Sequence, residues 1–312
     1  TTYYFRTYAS NWKGNVWAGT TRSFTTVTST VRDNPVRQSD LKGWWKLDGD
    51  LKDSSGNNHN GDSAFIWKPT AVSNLNLWLD ASDSATVSHN SNSIETWSDK
   101  SGNGFDASQA TALKRPTLTA NSINGMPAIS FDGSNDFLEA NTRLGLPANP
   151  AINITIVGKV NQIVSTTDAL FSLGGGSHCL MVAGGSQNWS WRHNGGAEKY
   201  NSVTTNTALV LTWTRPENGN YASSKFYLNG IEQAASASGS TSGAPTDTSN
   251  KYYIGSSNGT GYLSNATIGE IIVLNTDSVT DRQKIEGYLA HKWGLSTNLS
   301  TDHPYKSNFP SV

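Results

Sequence analysis

A two-sheet antiparallel β-sandwich carrying one helix near its C-terminal end is the fold class this sequence predicts. Three observations predict it. Short stretches of apolar or alternating character recur from residue 116 onward, each bounded by Gly, Asn or Ser. Charged residues make up only 15% of the 312, while small polar turn-formers are abundant. Helical spacing behind a capping pattern stands out in one stretch near the end, over 280–294.

Composition narrows the function classes. With 23 basic and 24 acidic residues, no strong field points to nucleic acid or an anionic membrane as partner. No run approaches the length that spans a bilayer, and no charged-then-apolar leader opens the sequence. Cys179 is the sole cysteine, which excludes an internal disulfide and reads as a small buried hydrophobe. Eleven tryptophans serve equally as core filler and as platforms for sugar rings.

The elements follow in order. Residues 1–26 alternate, with Tyr4, Arg6 and Tyr8 on one face and a turn over 11–15, and predict a two-stranded ribbon. Residues 27–39 are Thr/Ser-rich with Pro35 and read as linker. An opening motif then occurs twice. Trp-x-Leu-Asp in 41–61 returns as Trp78-Leu79-Asp80, and Asp53-Ser-Ser-Gly-Asn57 returns as Asp99-Lys-Ser-Gly-Asn103. The stretch 126–137, MPAISFDGSNDF, predicts a strand, a polar turn and a return, that is, a hairpin. Further strands are predicted over 152–160, 169–173, 179–183, 189–193, 208–214, 225–228, 252–254 and 266–274. Asn229-Gly230 marks a two-residue hairpin turn. The helix is expected to start with a capping box at Thr280, to bury Ile285 and Leu289 against an edge or end of the sandwich, and to stop at Gly294.

Several of these motifs carry a resemblance. Phe131-Asp-Gly-Ser-Asn-Asp-Phe137, the Asp99-Lys-Ser-Gly-Asn103 loop, Phe226-Tyr-Leu-Asn-Gly230, Ile268-Gly-Glu-Ile271 and the closing Ile285–Leu295 stretch resemble the laminin-G-like, concanavalin-A-like jelly-roll domains of large bacterial surface proteins. The opening ribbon resembles the last two strands of a fibronectin type III domain. The partition this implies is 1–26 as that strand pair, 27–74 as linker and partial duplicate, 75–296 as the jelly roll and 297–312 as a tail. It also implies an extracellular or cell-surface location and a structural calcium ion. Carried over residue by residue, the ligands would be Asp99, Asn103, Asp132, Asn135 and Asp136, an oxygen set that suits a hard cation. The same residues read equally as turn-formers.

Chemistry is expected to be absent. Relatives of this jelly roll that are glycosidases set two carboxylates on one strand. No Glu-x-Asp-x-x-Glu pattern occurs here, and Glu270 stands alone on its strand. His178-Cys179 lacks an orienting third group. For binding, Trp189 and Trp191 share one face of a strand, and either stack on sugar rings beside Asn188 or pack between the sheets. Tyr200 and Tyr262 are the next candidates. The expected function is a non-catalytic, calcium-stabilised module for adhesion or glycan binding, partnered by an extracellular glycan. The alternative is a repeat or filament subunit that binds neighbouring copies of itself by strand complementation through the N-terminal ribbon.

Overall fold

The computed structural model describes residues 67–310 apart from 148, 165–166, 175–177, 184–186, 194–195, 235 and 240–249, together with four strands among residues 2–25. The chain forms two units, Thr1–Ile66 and Trp67–Val312. In the first, β1 (Thr2–Phe5) pairs with β4 (Arg22–Thr25), and β2 (Tyr8–Asn11) pairs with β3 (Gly14–Trp17). The registers nest, so the predicted antiparallel ribbon is present. The duplicated motif over 41–61 lies outside the described residues.

The second unit is a sandwich. In chain order its strands are β5 (Leu75–Asp80), β6 (Val87–Asn90), β7 (Ser93–Trp97), β8 (Ala107–Ser108), β9 (Thr117–Ile123), β10 (Met126–Asp132) and β11 (Leu138–Ala140). They continue with β12 (Ile152–Gln162), β13 (Thr167–Leu173), β14 (His178–Ala183), β15 (Asn188–His193), β16 (Gly196–Ser202), β17 (Leu209–Arg215), β18 (Lys225–Leu228) and β19 (Ile231–Glu232). β20 (Ser236–Gly239), β21 (Tyr252–Ile254) and β22 (Asn265–Leu274) complete the set before helix α1 (Val279–Lys292). One layer runs β9–β10–β22–β12–β17–β18–β19, with β5 beside β22 beyond the end of β10. The other runs β6–β7–β8–β11–β21–β13–β14–β15–β16–β20. A bridge between Ser93 and Thr117 joins the two layers at one edge.

Inward side chains of both layers, among them Leu79, Ile129, Phe131, Leu138, Ile154, Phe171, Trp213 and Ile271, make one core. The outer face of the first layer is apolar too, through Trp78, Val157, Val210 and Ile272. A strand apolar on both faces needs a cover, and α1 supplies it with Ile285, Tyr288, Leu289 and Trp293 at i, i+3, i+4 and i+8. The helix therefore lies on a sheet face, where the sequence predicted an edge or end. Its N-cap is Ser278, whose Oγ accepts from the Asp281 N–H at 3.3 Å, two residues before the predicted cap. Gly294 at φ +66° stops the helix as predicted.

Two boundaries move. Trp67 and Val72, placed in a linker by sequence, are buried under α1. The predicted tail packs as well: Leu299 and His303 are buried, and His303 Nε2 lies 3.2 Å from Glu286 Oε2. Glu286 also takes both bonds of Arg282 Nη1, at 2.9 and 2.6 Å, and that guanidinium sits 3.8 Å over the Tyr227 ring. A buried ion pair with an extra donor thus fastens the last residues to the helix. No helix among the described residues is long and apolar enough to cross a membrane.

Candidate functional site

The predicted hairpin at 126–137 is a crossover. β10 pairs with β9 and β22, whereas β11 pairs with β8 and β21, so the turn carries the chain from one layer to the other. Its shape comes from two carboxylates. Asp132 Oδ1 accepts the N–H groups of Ser134, Asn135 and Asp136 at 2.7, 3.1 and 3.3 Å, and Asp136 Oδ2 accepts the N–H of Asp132 at 3.1 Å. Gly133, at φ +77°, lies so close to Val164 and Asn265 that a Cβ would meet them at 2.8 and 3.0 Å. Asp136 is buried, and burial first, then the charge of Asp132, push its carboxyl up to about 6.

The structure separates the five expected calcium ligands. Asp99 organises a loop of its own. Its Oδ1 accepts from the N–H of Trp78 and Ser101, and its Oδ2 accepts from Ser101 Oγ and the Phe105 N–H. Those four donors match the acceptor capacity of a carboxylate. Asn103 Nδ2 donates to the Leu75 and Asn76 carbonyls at 3.0 Å each. Trp78 stands opposite Ile272 and Asp132 opposite Asn265, seven residues apart along β22. At about 3.3 Å per residue the two loops lie roughly 23 Å apart. Asp99 and Asn103 therefore cannot share an ion with Asp132, Asn135 and Asp136. No group of three or more His, Cys, Asp or Glu among the described residues is arranged to hold a metal.

Trp189 and Trp191 are core residues, which corrects their candidacy as sugar platforms. Both are buried, Trp191 stacks on Trp213 with centroids 3.3 Å apart and planes at 10°, and Trp189 packs on Phe226. Asn188, partly exposed, opens β15. The side chains of Tyr200, His178 and Cys179 lie outside the described residues. Tyr262 keeps its candidacy. It is 38% exposed at φ +53°, on a turn in which Asn258 Oδ1 accepts from the N–H groups of Thr260 and Gly261. Its carbonyl accepts from the Ala169 N–H at 2.8 Å. Through Asn265 and Val164, this turn and the Asp132 turn belong to the same end of the sandwich.

A second polar cluster, which sequence reasoning did not assemble, lies beneath α1. Glu270 is fully buried. It accepts from Trp78 Nε1 at 2.7 Å, Trp293 Nε1 at 2.7 Å and Lys292 Nζ at 2.6 Å. Glu270 is the one acid on β22, and across the β5–β22 pairing it faces Asp80 of the neighbouring strand. Asp80 Oδ1 is 2.7 Å from Lys292 Nζ and accepts Ser82 Oγ at 2.6 Å and the Ser82 N–H at 3.1 Å, while Oδ2 accepts Lys100 Nζ at 2.9 Å. Burial is the largest influence on Glu270 and raises its carboxyl above the ordinary value despite Lys292. Burial pushes Asp80 the same way, but Lys292 and Lys100 together outweigh it and hold that carboxyl low. Gly269 makes room for the cluster, since a Cβ there would meet the Trp293 ring at 2.6 Å. The signal in the sequence was that Trp78-Leu-Asp80, Asp99-Lys100, Gly269-Glu270 and Lys292-Trp293 all belong to the motifs quoted above.

No protein-family model and no curated protein matches the chain. Among solved structures it is similar to Trypanosoma rangeli sialidase in complex with sialic acid, at 16% identity and TM-score 0.49, over 71% of this chain and 33% of that one. It is also similar to the botulinum neurotoxin serotype D binding domain, at 14% identity and TM-score 0.46, over 68% and 51%. The botulinum neurotoxin type G receptor binding domain follows at 13% identity and TM-score 0.41, over 69% and 51%. The chain spans between a third and a half of the length of these proteins.

Proposed function

We propose that the chain is a non-catalytic, laminin-G-like module of a secreted or cell-surface protein. It binds an extracellular glycan with the loops at the Tyr262 end of the sandwich. The observation that carries this reading is the exposed Tyr262, a left-handed residue within a turn tied down by its own hydrogen bonds. A non-glycine residue at positive φ is sparsely populated, and such positions cluster at ligand sites. A tyrosine there offers an apolar face with a hydroxyl at its rim, which suits a sugar ring.

The Asp132 turn supplies a structural calcium ion with two carboxylates and the Asn135 amide, the remaining oxygens being backbone carbonyls and water. The raised carboxyl of Asp136 supports this: burial first, and then the charge of Asp132, disfavour its anion, and a cation at the turn offsets both. The reading is tested with a glycan array probed with and without chelator, alongside Tyr262→Ala. Binding by the wild type that the variant loses, at an unchanged melting temperature, supports it. No binding in either condition sinks the glycan assignment.

A further inference from the structure

We infer that the cluster beneath α1 forms an intramolecular isopeptide bond between Lys292 Nζ and the side-chain carboxyl of Asp80, with Glu270 as the proton carrier. The geometry contains each part the reaction needs. The amine lies 2.7 Å from Asp80 Oδ1 and 2.6 Å from Glu270 Oε2, so the nucleophile touches both the electrophile and the proton carrier. Asp80 and Glu270 are fixed opposite each other by the β5–β22 register, and Lys292 is held by the last turn of α1. Such preorganisation converts an amide condensation into a unimolecular step between groups already in place. The indoles of Trp78 and Trp293 enclose the carboxyl of Glu270 and keep water from it.

The step balances. Glu270 takes a proton from the Lys292 ammonium and passes it to Asp80, leaving a neutral amine and a carboxylic acid. The nitrogen lone pair attacks Asp80 Cγ, and the electrons displaced onto Oδ1 are met by the Ser82 N–H and hydroxyl. Collapse breaks the bond from Cγ to Oδ2, which lies against the Lys100 ammonium and departs as water after taking the second amine proton through Glu270. One ammonium and one carboxylate become one neutral amide and one water, with no oxidant or cofactor. The product ties the helix to the sheet covalently, in place of an ion pair whose burial is unfavourable.

The test is the intact mass of the purified wild-type chain, followed by sequencing of its proteolytic peptides. The expected result is a chain one water lighter than its sequence, with a branched peptide joining the segments that contain Asp80 and Lys292. Glu270→Gln and Lys292→Arg are expected at full sequence mass with β-sheet circular dichroism retained. A wild-type chain at full sequence mass overturns the inference, as does a water loss without the branched peptide, or a branch at Lys100. Because the wild type decides, a variant that fails to fold leaves the outcome intact.

Discussion

Asp136 shows how a single side chain couples acidity to stability. Its folded carboxyl titrates near 6, above the ordinary carboxylate value, so in chelator the native state holds a proton that the unfolded chain has released. Asp136 therefore favours folding below the unfolded value, and that benefit is lost as pH rises through 6. Asp136→Asn keeps an oxygen for the Asp132 N–H and carries no charge. In chelator the melting temperature of this variant is expected to exceed that of wild type at pH 8 and to converge on it near pH 4. Adding calcium at pH 8 is expected to raise the wild-type melting temperature by several degrees and to leave the variant unmoved; no response of the wild type would count against the ion site. A tryptophan gives the contrasting case. Trp191→Ala removes a buried ring stacked on Trp213 and is expected to cost about 3–5 kcal/mol in chemical denaturation. The sequence placed Trp189 and Trp191 correctly on one face. Alternation does not say whether that face looks at solvent or at the opposite layer, and here it looks at Trp213 and Phe226.

Among the elements, the strands with strong apolar character were readable. The predicted 225–228 and 252–254 match β18 and β21, and the Asn229-Gly230 turn has positive φ at both residues, +51° and +77°. β6 and β9 escaped notice because their residues are mostly exposed or half-exposed, which removes the alternation that periodicity detects. The 132–137 turn was recognised as a turn but misread as a hairpin. Asx chemistry fixes the local bend, while the destination of the outgoing strand depends on partners more than a hundred residues away. The helix was found by its spacing, and its seat became visible only with Glu286. Truncating that residue strands the Arg282 guanidinium in a buried site. Glu286→Ala is expected to lower stability by about 3–5 kcal/mol, measured as a fall in denaturation midpoint at unchanged m. Gly269→Val is expected to destabilise through overpacking by about 1–3 kcal/mol, because its side chain must displace the Trp293 indole.

At the scale of the whole molecule, the candidate sites are products of long-range pairing. Composition and turn chemistry indicated the sandwich, but no local pattern brings Asp80 to Glu270 or parts Asp99 from Asp132. Both outcomes follow from where β5 and β10 dock along the same flank of β22. β12 and β22 are long central strands, paired on both sides and buried along most of their length. Their amides are expected to exchange slowest in native-state hydrogen exchange, and those of β6 and β19 fastest.

The position of β22 has a consequence for biosynthesis. Residues 265–274 bridge β5, β10 and β12, all of which leave the ribosome well before them. During vectorial synthesis those earlier strands wait with an open flank, and an open flank is where strands from different chains join. A nascent chain stalled short of residue 265 should remain protease-sensitive and bind chaperones, while one stalled with α1 clear of the exit tunnel should be resistant. For most of its translation, this sandwich is a collection of edges awaiting one late strand.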